Sequence, residues 1–203
     1  MFWDYAAAVY DLFVNVVNRK AHKKLRSIIS GLIEPGDRVL ECACGTGMLS
    51  AVIAEKGASL TATDFSRKML KKAMRNCRTF SNIRFERADI TDLRYPDGSF
   101  DKVLAGNVIH LLDDPLAALK ELDRTCRPGG TLIIPTYMER EKRSGRAPAL
   151  RPGIFRQHFT VRSYRKFFLD AGYPDVRITI AKGRIPCAVA VMQKKKTSNA
   201  WHQ

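Results

Sequence analysis

Residues 39–47, Val-Leu-Glu-Cys-Ala-Cys-Gly-Thr-Gly, put an acidic side chain at the end of an apolar run that passes straight into a glycine turn. Gly45 and Gly47 have no Cβ, so the backbone there can turn sharply and come close to a ligand. Glu41 can accept hydrogen bonds from amines or hydroxyls. A dinucleotide fingerprint would read G-x-G-x-x-G, but Ser50 holds the third glycine place. Glu41 would also repel a diphosphate, so a nucleotide-like ligand that carries positive charge fits better. Further polar residues recur at matching places downstream: Asp64 after Ser59-Leu-Thr-Ala-Thr, Asp89 after residues 83–88, and Asn107 after residues 100–106. Asp64 lies about 20 residues beyond the turn, where a ribose-binding carboxylate belongs. His110, three residues past Asn107, is a candidate general base because an imidazole titrates near neutral pH. His158, within an arginine-rich stretch, reads as an ordinary surface histidine.

These residues need a scaffold that brings four strand ends together. Short apolar runs at 39–42, 59–63, 83–88 and 100–106 alternate with helical stretches, a pattern that predicts a parallel sheet with helices on both faces. In such sheets ligands bind in the crevice at the carboxyl edge of the strands. Arg127-Pro-Gly-Gly130 predicts a turn into a fifth strand at 131–137. A helix over Val161–Ala171, closed by Gly172 and Pro174, leads to strands Val176–Ala181 and Ala188–Gln193, which predict an antiparallel hairpin at one sheet edge. The expected fold is therefore α/β and Rossmann-like, with a seven-stranded, mostly parallel sheet ending in an antiparallel hairpin.

With those motifs in order, residues 36–136 resemble the class I S-adenosylmethionine-dependent methyltransferases, of the type 11, quinone-methyltransferase-like group. The resemblance implies S-adenosyl-L-methionine as cofactor. It matches the first motif to Glu41, Ala43, Cys44, Gly45, Thr46 and Gly47, the ribose acid and its neighbours to Asp64, Phe65 and Met69, the adenine region to Asp89 and Ile90, and the motif after strand four to Asn107 through His110. Ala43 departs from the family pattern, which has glycine there. It adds one methyl group against the cofactor, a modest cost at most. Residues 8–15 look like the Tyr-Asp segment that opens quinone and phospholipid methyltransferases, and this implies that Tyr10 lies over the cofactor. The implied activity is methyl transfer from a sulfonium to a small-molecule or lipid-like acceptor. An RNA methyltransferase is the alternative enzyme, although Asn107-Val-Ile-His lacks the Asn-Pro-Pro-Tyr type of tetrapeptide. A non-catalytic, cofactor-binding partner subunit is the alternative outside enzymes.

The 203 residues suit one domain over 1–196: an N-terminal helical lid at 1–34, a cofactor core at 36–136, a substrate-side insertion at 138–159, and a disordered tail at 197–203. Apolar residues at spacings of three and four over 2–17 predict an amphipathic helix. The five cysteines form no C-x-x-C pair, so the thiols should be reduced and metal-free, in a cytoplasmic protein with no secretory signal or membrane-spanning run. The formal charge of +15, from 35 Lys and Arg against 20 acids, asks for an anionic substrate or surface. Nucleic acid and peripheral contact with the inner membrane surface are both partners of that kind.

Overall fold

A computed structural model describes residues 18–139 and 156–196. Seven strands form one sheet in the order β3-β2-β1-β4-β5-β7-β6. Strands β1 (Arg38–Cys42), β2 (Ser59–Asp64), β3 (Ile83–Arg87), β4 (Phe100–Ala105) and β5 (Cys126–Tyr137) pair in parallel. β7 (Cys187–Gln193) runs antiparallel between β5 and β6 (Arg177–Ala181). The central strands read as short apolar runs because helices cover both of their faces. Strand order reverses between β1 and β4, and that reversal opens a crevice at their carboxyl ends.

Helices α1 (Arg19–Ser30), α2 (Met48–Glu55) and α3 (Arg67–Asn76) cover one face, where Leu25, Ile29, Val52, Ile53 and Leu70 pack on Val39, Ala62, Leu104 and Ile133. On the other face α4 (Pro115–Thr125) and α5 (Val161–Asp170) pack Leu119, Leu122, Tyr164 and Phe168 against Leu40, Val103 and Leu132. Local chemistry starts the helices. The Ser66 hydroxyl accepts from the Met69 N–H at the head of α3, and Asp114 accepts from the Leu116 and Ala117 N–H groups ahead of Pro115 on α4.

The structure corrects two details of the sequence reading. Arg127-Pro-Gly-Gly130 is a bulge inside β5: Phe100 faces Cys126 while Lys102 already faces Thr131, and Gly129 takes φ +74°. A Cβ on Gly130 would lie 2.6 Å from Cys126 Sγ, so only glycine lets the strand fold back on itself there. Residues 19–30 of the expected lid form a core layer, with Leu25 and Ile29 fully buried. The β6–β7 hairpin lies at one sheet edge as expected, with β6 outermost. Residues 2–17 with Tyr10, most of the 138–159 insertion, and the 197–203 tail lie outside the described residues.

Candidate active site

The glycine turn and the four strand ends meet as expected. Two adjoining cavities of about 270 and 260 Å³ share Ala43, Gly45, Gly106 and Asn107 as a common wall. The outer lobe is lined by Thr63, Asp64, Phe65, Met69, Asp89 and Ile90, with Val108, Leu111 and Leu112 making an apolar side. The inner lobe is lined by Glu41, Cys44, Thr46 and Gly47, and by Arg26, Asn76 and Tyr137. Every described residue proposed from the sequence for the cofactor lines one lobe or both; Tyr10 lies outside the described residues.

Backbone bonds between neighbouring strand ends fix this floor. The Cys44 N–H donates to the Thr63 carbonyl at 2.9 Å, Gly106 N–H to the Cys42 carbonyl at 2.9 Å, and Asn107 N–H to the Pro135 carbonyl at 3.1 Å. The two non-glycine residues with positive φ among the described residues both lie here, Ala43 at +55° and Asn107 at +53°. Asn tolerates this left-handed conformation, but alanine is strained in it. Ala43 therefore departs from glycine in backbone energy as well as in its extra methyl. A Cβ on Gly106 would come within 3.1 Å of the Ala43 carbonyl, so the close approach of the β1 and β4 ends favours glycine.

Glu41 is 1% exposed. The Ser50 hydroxyl donates to its Oε2 at 2.5 Å, so the serine in the third glycine place anchors the acid. Burial pushes the Glu41 carboxyl up to about 7; the Ser50 hydrogen bond opposes the rise and the negative charge of Asp64 adds to it. A buried carboxyl poised near neutral pH is stabilised as carboxylate by a cation in the same lobe. Asp64 accepts from the Gly45 N–H at 2.9 Å on Oδ2 and from the Ser66 N–H at 2.8 Å on Oδ1. It therefore shapes the glycine turn, and Ser66 rather than Asp64 caps α3. Asp89 Oδ1 accepts from the Thr91 N–H and hydroxyl.

His110 stands one layer behind the wall. It is 1% exposed, lines neither lobe, and meets Tyr137 edge-on with ring centroids 5.7 Å apart. Burial pushes its imidazole down to about 3, so it is neutral at physiological pH and a weak base. This placement, outside both lobes, speaks against the general base expected from the sequence. His22 of α1 supports the same tyrosine, with Nε2 2.8 Å from the hydroxyl. His158 is at the surface, its Nδ1 2.7 Å from Glu139 Oε1. The five cysteines are buried free thiols, and no group of metal-ligating side chains occurs among the described residues.

Arg26, Gly106 and Tyr137 escaped the sequence reading. Gly106 could have been found, because it directly precedes Asn107. Arg26 and Tyr137 carried no signal, since they reach the inner lobe only through the packing of α1 and β5.

The comparisons agree with this geometry. Residues 40–134 match the family model described as a methyltransferase domain. The ubiquinone/menaquinone biosynthesis C-methyltransferase of Bdellovibrio bacteriovorus is 38% identical over 134 residues, which cover 63% of this chain and 57% of that protein. The demethylmenaquinone methyltransferase of Clavibacter sepedonicus is 39% identical over 99 residues, 49% of this chain and 40% of that protein. The chain thus matches only about half the length of these curated relatives. Among solved structures, a SAM-dependent methyltransferase from Aquifex aeolicus has a TM-score of 0.64 at 20% identity and covers 84% of this chain and 89% of its own. The [4+2]-cyclase SpnF has a TM-score of 0.72 at 19% identity, covering 86% and 81%. The chain therefore has the fold of solved S-adenosylmethionine-dependent methyltransferases, and its residues 40–134 match a methyltransferase domain.

Proposed function

We propose that the protein transfers a methyl group from S-adenosylmethionine to a small, lipid-like acceptor. The observation that carries this reading is the two-lobed crevice, with Glu41, Asp64, Asp89 and Asn107 at the ends of or just beyond four successive strands. The crevice fits the cofactor in charge and in space. The buried Glu41 carboxyl would accept from the cofactor's amine, and the exposed Arg26 guanidinium in the same lobe would pair with its carboxylate. Asp64 would hold ribose hydroxyls. Asp89, with Ile90, Phe65 and Met69 around it, would take the adenine. Bound there, the cofactor supplies a methyl group that is already electrophilic.

The protein's part is then to position and exclude. Gly45, Gly106 and the left-handed Ala43 keep the floor low enough for a ligand to lie on it. Val108, Leu111 and Leu112 offer an apolar wall to an acceptor and keep water from it. That wall and the quinone-directed relatives support a lipid-like acceptor. Calorimetry should show S-adenosylmethionine binding to the whole chain, and a demethylmenaquinol should give product-nucleoside release. Absence of cofactor binding by folded protein would sink the proposal. Cofactor binding without turnover of the quinol would sink only the choice of acceptor.

A further inference from the structure

The first turns of α1 and α3 carry Arg19 and Lys20, and Arg67 and Lys68, with no acid in either turn. Helix N-termini favour negative side chains, so these cations oppose the local field. One helical turn further on, Lys23 and Lys71 extend the two rows. All six are exposed. Both N-termini lie at the crevice edge of the sheet. Ser66 caps α3 directly after the end of β2. Asn18, ahead of α1, exchanges hydrogen bonds with the Ile185 backbone in the β6–β7 turn, beside the carboxyl end of β5. The cations therefore rim the crevice on both sides of α2, and the aromatic ring of Phe65, 61% exposed, stands just ahead of α3.

We infer that this rim, Arg19, Lys20 and Lys23 with Arg67, Lys68 and Lys71, docks the protein on an anionic lipid bilayer and turns the crevice mouth toward it. The choice of a bilayer rests on the proposed lipid-like acceptor and on the crevice itself. A nucleic acid drawn to the rim would meet the carboxylates of Asp64 and Asp89 inside, whereas an uncharged lipid-like molecule leaving the bilayer would meet Val108, Leu111 and Leu112. Lys and Arg near an anionic surface each contribute to binding.

The test uses the full chain without cofactor or acceptor, so it stands apart from the catalytic reading. Binding is measured by sedimentation with phosphatidylcholine vesicles, with and without phosphatidylglycerol. Two triple variants lose equal charge: Lys20→Gln, Lys23→Gln and Lys71→Gln on the rim, and Lys120→Gln, Arg162→Gln and Lys166→Gln on the opposite face. Wild type should bind only the anionic vesicles. The rim variant should lose about fivefold per charge, about a hundredfold in all, and the opposite-face variant should lose little. Salt should weaken the interaction. Equal losses in both variants would reduce the effect to net charge, and wild-type affinity in the rim variant would remove the rim from it. Failure of wild type to prefer anionic vesicles, or tighter binding to polyuridylic acid than to those vesicles, would overturn the bilayer.

Discussion

The two helical faces of the sheet use charge in opposite ways. Helices α4 and α5, with Asp113 and Asp114 leading into α4, hold five acids and five bases, and every acid there has a partner. Asp113 meets Arg156, Asp114 caps α4, Glu121 pairs with Arg124, Asp123 with Lys194 and Tyr173, and Asp170 with Lys166. Helices α1 to α3 carry ten Lys and Arg against one acid, Glu55. Beside them lies the crevice, whose carboxylates are buried or hold backbone. One face balances its charges within the fold, while the other carries an excess of positive charge beside the crevice. A polar group on the first should answer in stability when removed, and one at the second in binding.

Arg124 offers the sharpest trial of the paired face. Its guanidinium donates to Glu121, to Asp97 and to the carbonyls of Leu93 and Tyr95, tying α4 to the loop before β4. Arg124→Ala should destabilise by about 3 kcal/mol, read as a lower midpoint in urea, because partly buried acceptors lose a shared donor. S-adenosylmethionine affinity of the folded variant should not change. A drop in affinity with unchanged stability would reverse the comparison.

Glu41 is the site on the crevice side where stability and binding meet. Its folded value of about 7 lies above the ordinary 4.5, so the folded state holds a proton that the unfolded chain has released between those values. The contribution to stability is full below pH 4.5 and is lost as pH rises through 7, on the order of 3 kcal/mol from the shift. Glu41→Gln should flatten this slope in thermal melts from pH 5 to 8, and an unchanged slope would show that Glu41 is not its source. His110 works the other way: pushed down to about 3, it contributes stability above its ordinary 6.5 that is lost as pH falls. The His110 effect, like any other group's, would remain in the variant.

Removing carboxylates from the crevice should show mainly in binding. Glu41→Ala and Asp64→Ala should each weaken S-adenosylmethionine binding at least tenfold by calorimetry, since a charge-assisted hydrogen bond contributes roughly 1.5–3 kcal/mol. Asp64→Ala should be the harsher, because it also releases the Gly45 N–H. Normal affinity in both folded variants would remove the cofactor from this crevice. The smallest effect belongs to Ala43→Gly, which relieves a left-handed alanine. A stabilisation of about 1 kcal/mol with affinity intact or slightly better is expected. Lost affinity would mean that the Ala43 methyl packs on the ligand.

Much of the site was legible because it follows from chain order. An apolar run that ends in Glu41 and a glycine turn, followed by strands ending at Asp64, Asp89 and Asn107, specifies a parallel sheet and one crevice, since βαβ units bring successive carboxyl ends to the same edge. Composition likewise fixed the excess of positive charge. Only the tertiary structure decided the rest. Whether His110 faced the cavity or Tyr137 depended on the turn after β4, and spacing carries no record of that rotation. Arg26 and Tyr137 enter the inner lobe from α1 and β5, elements far apart in sequence whose meeting is set by packing on the sheet. The sorting of charge into a balanced face and a basic face also came from the fold, because packing on the sheet decides which side each helix covers.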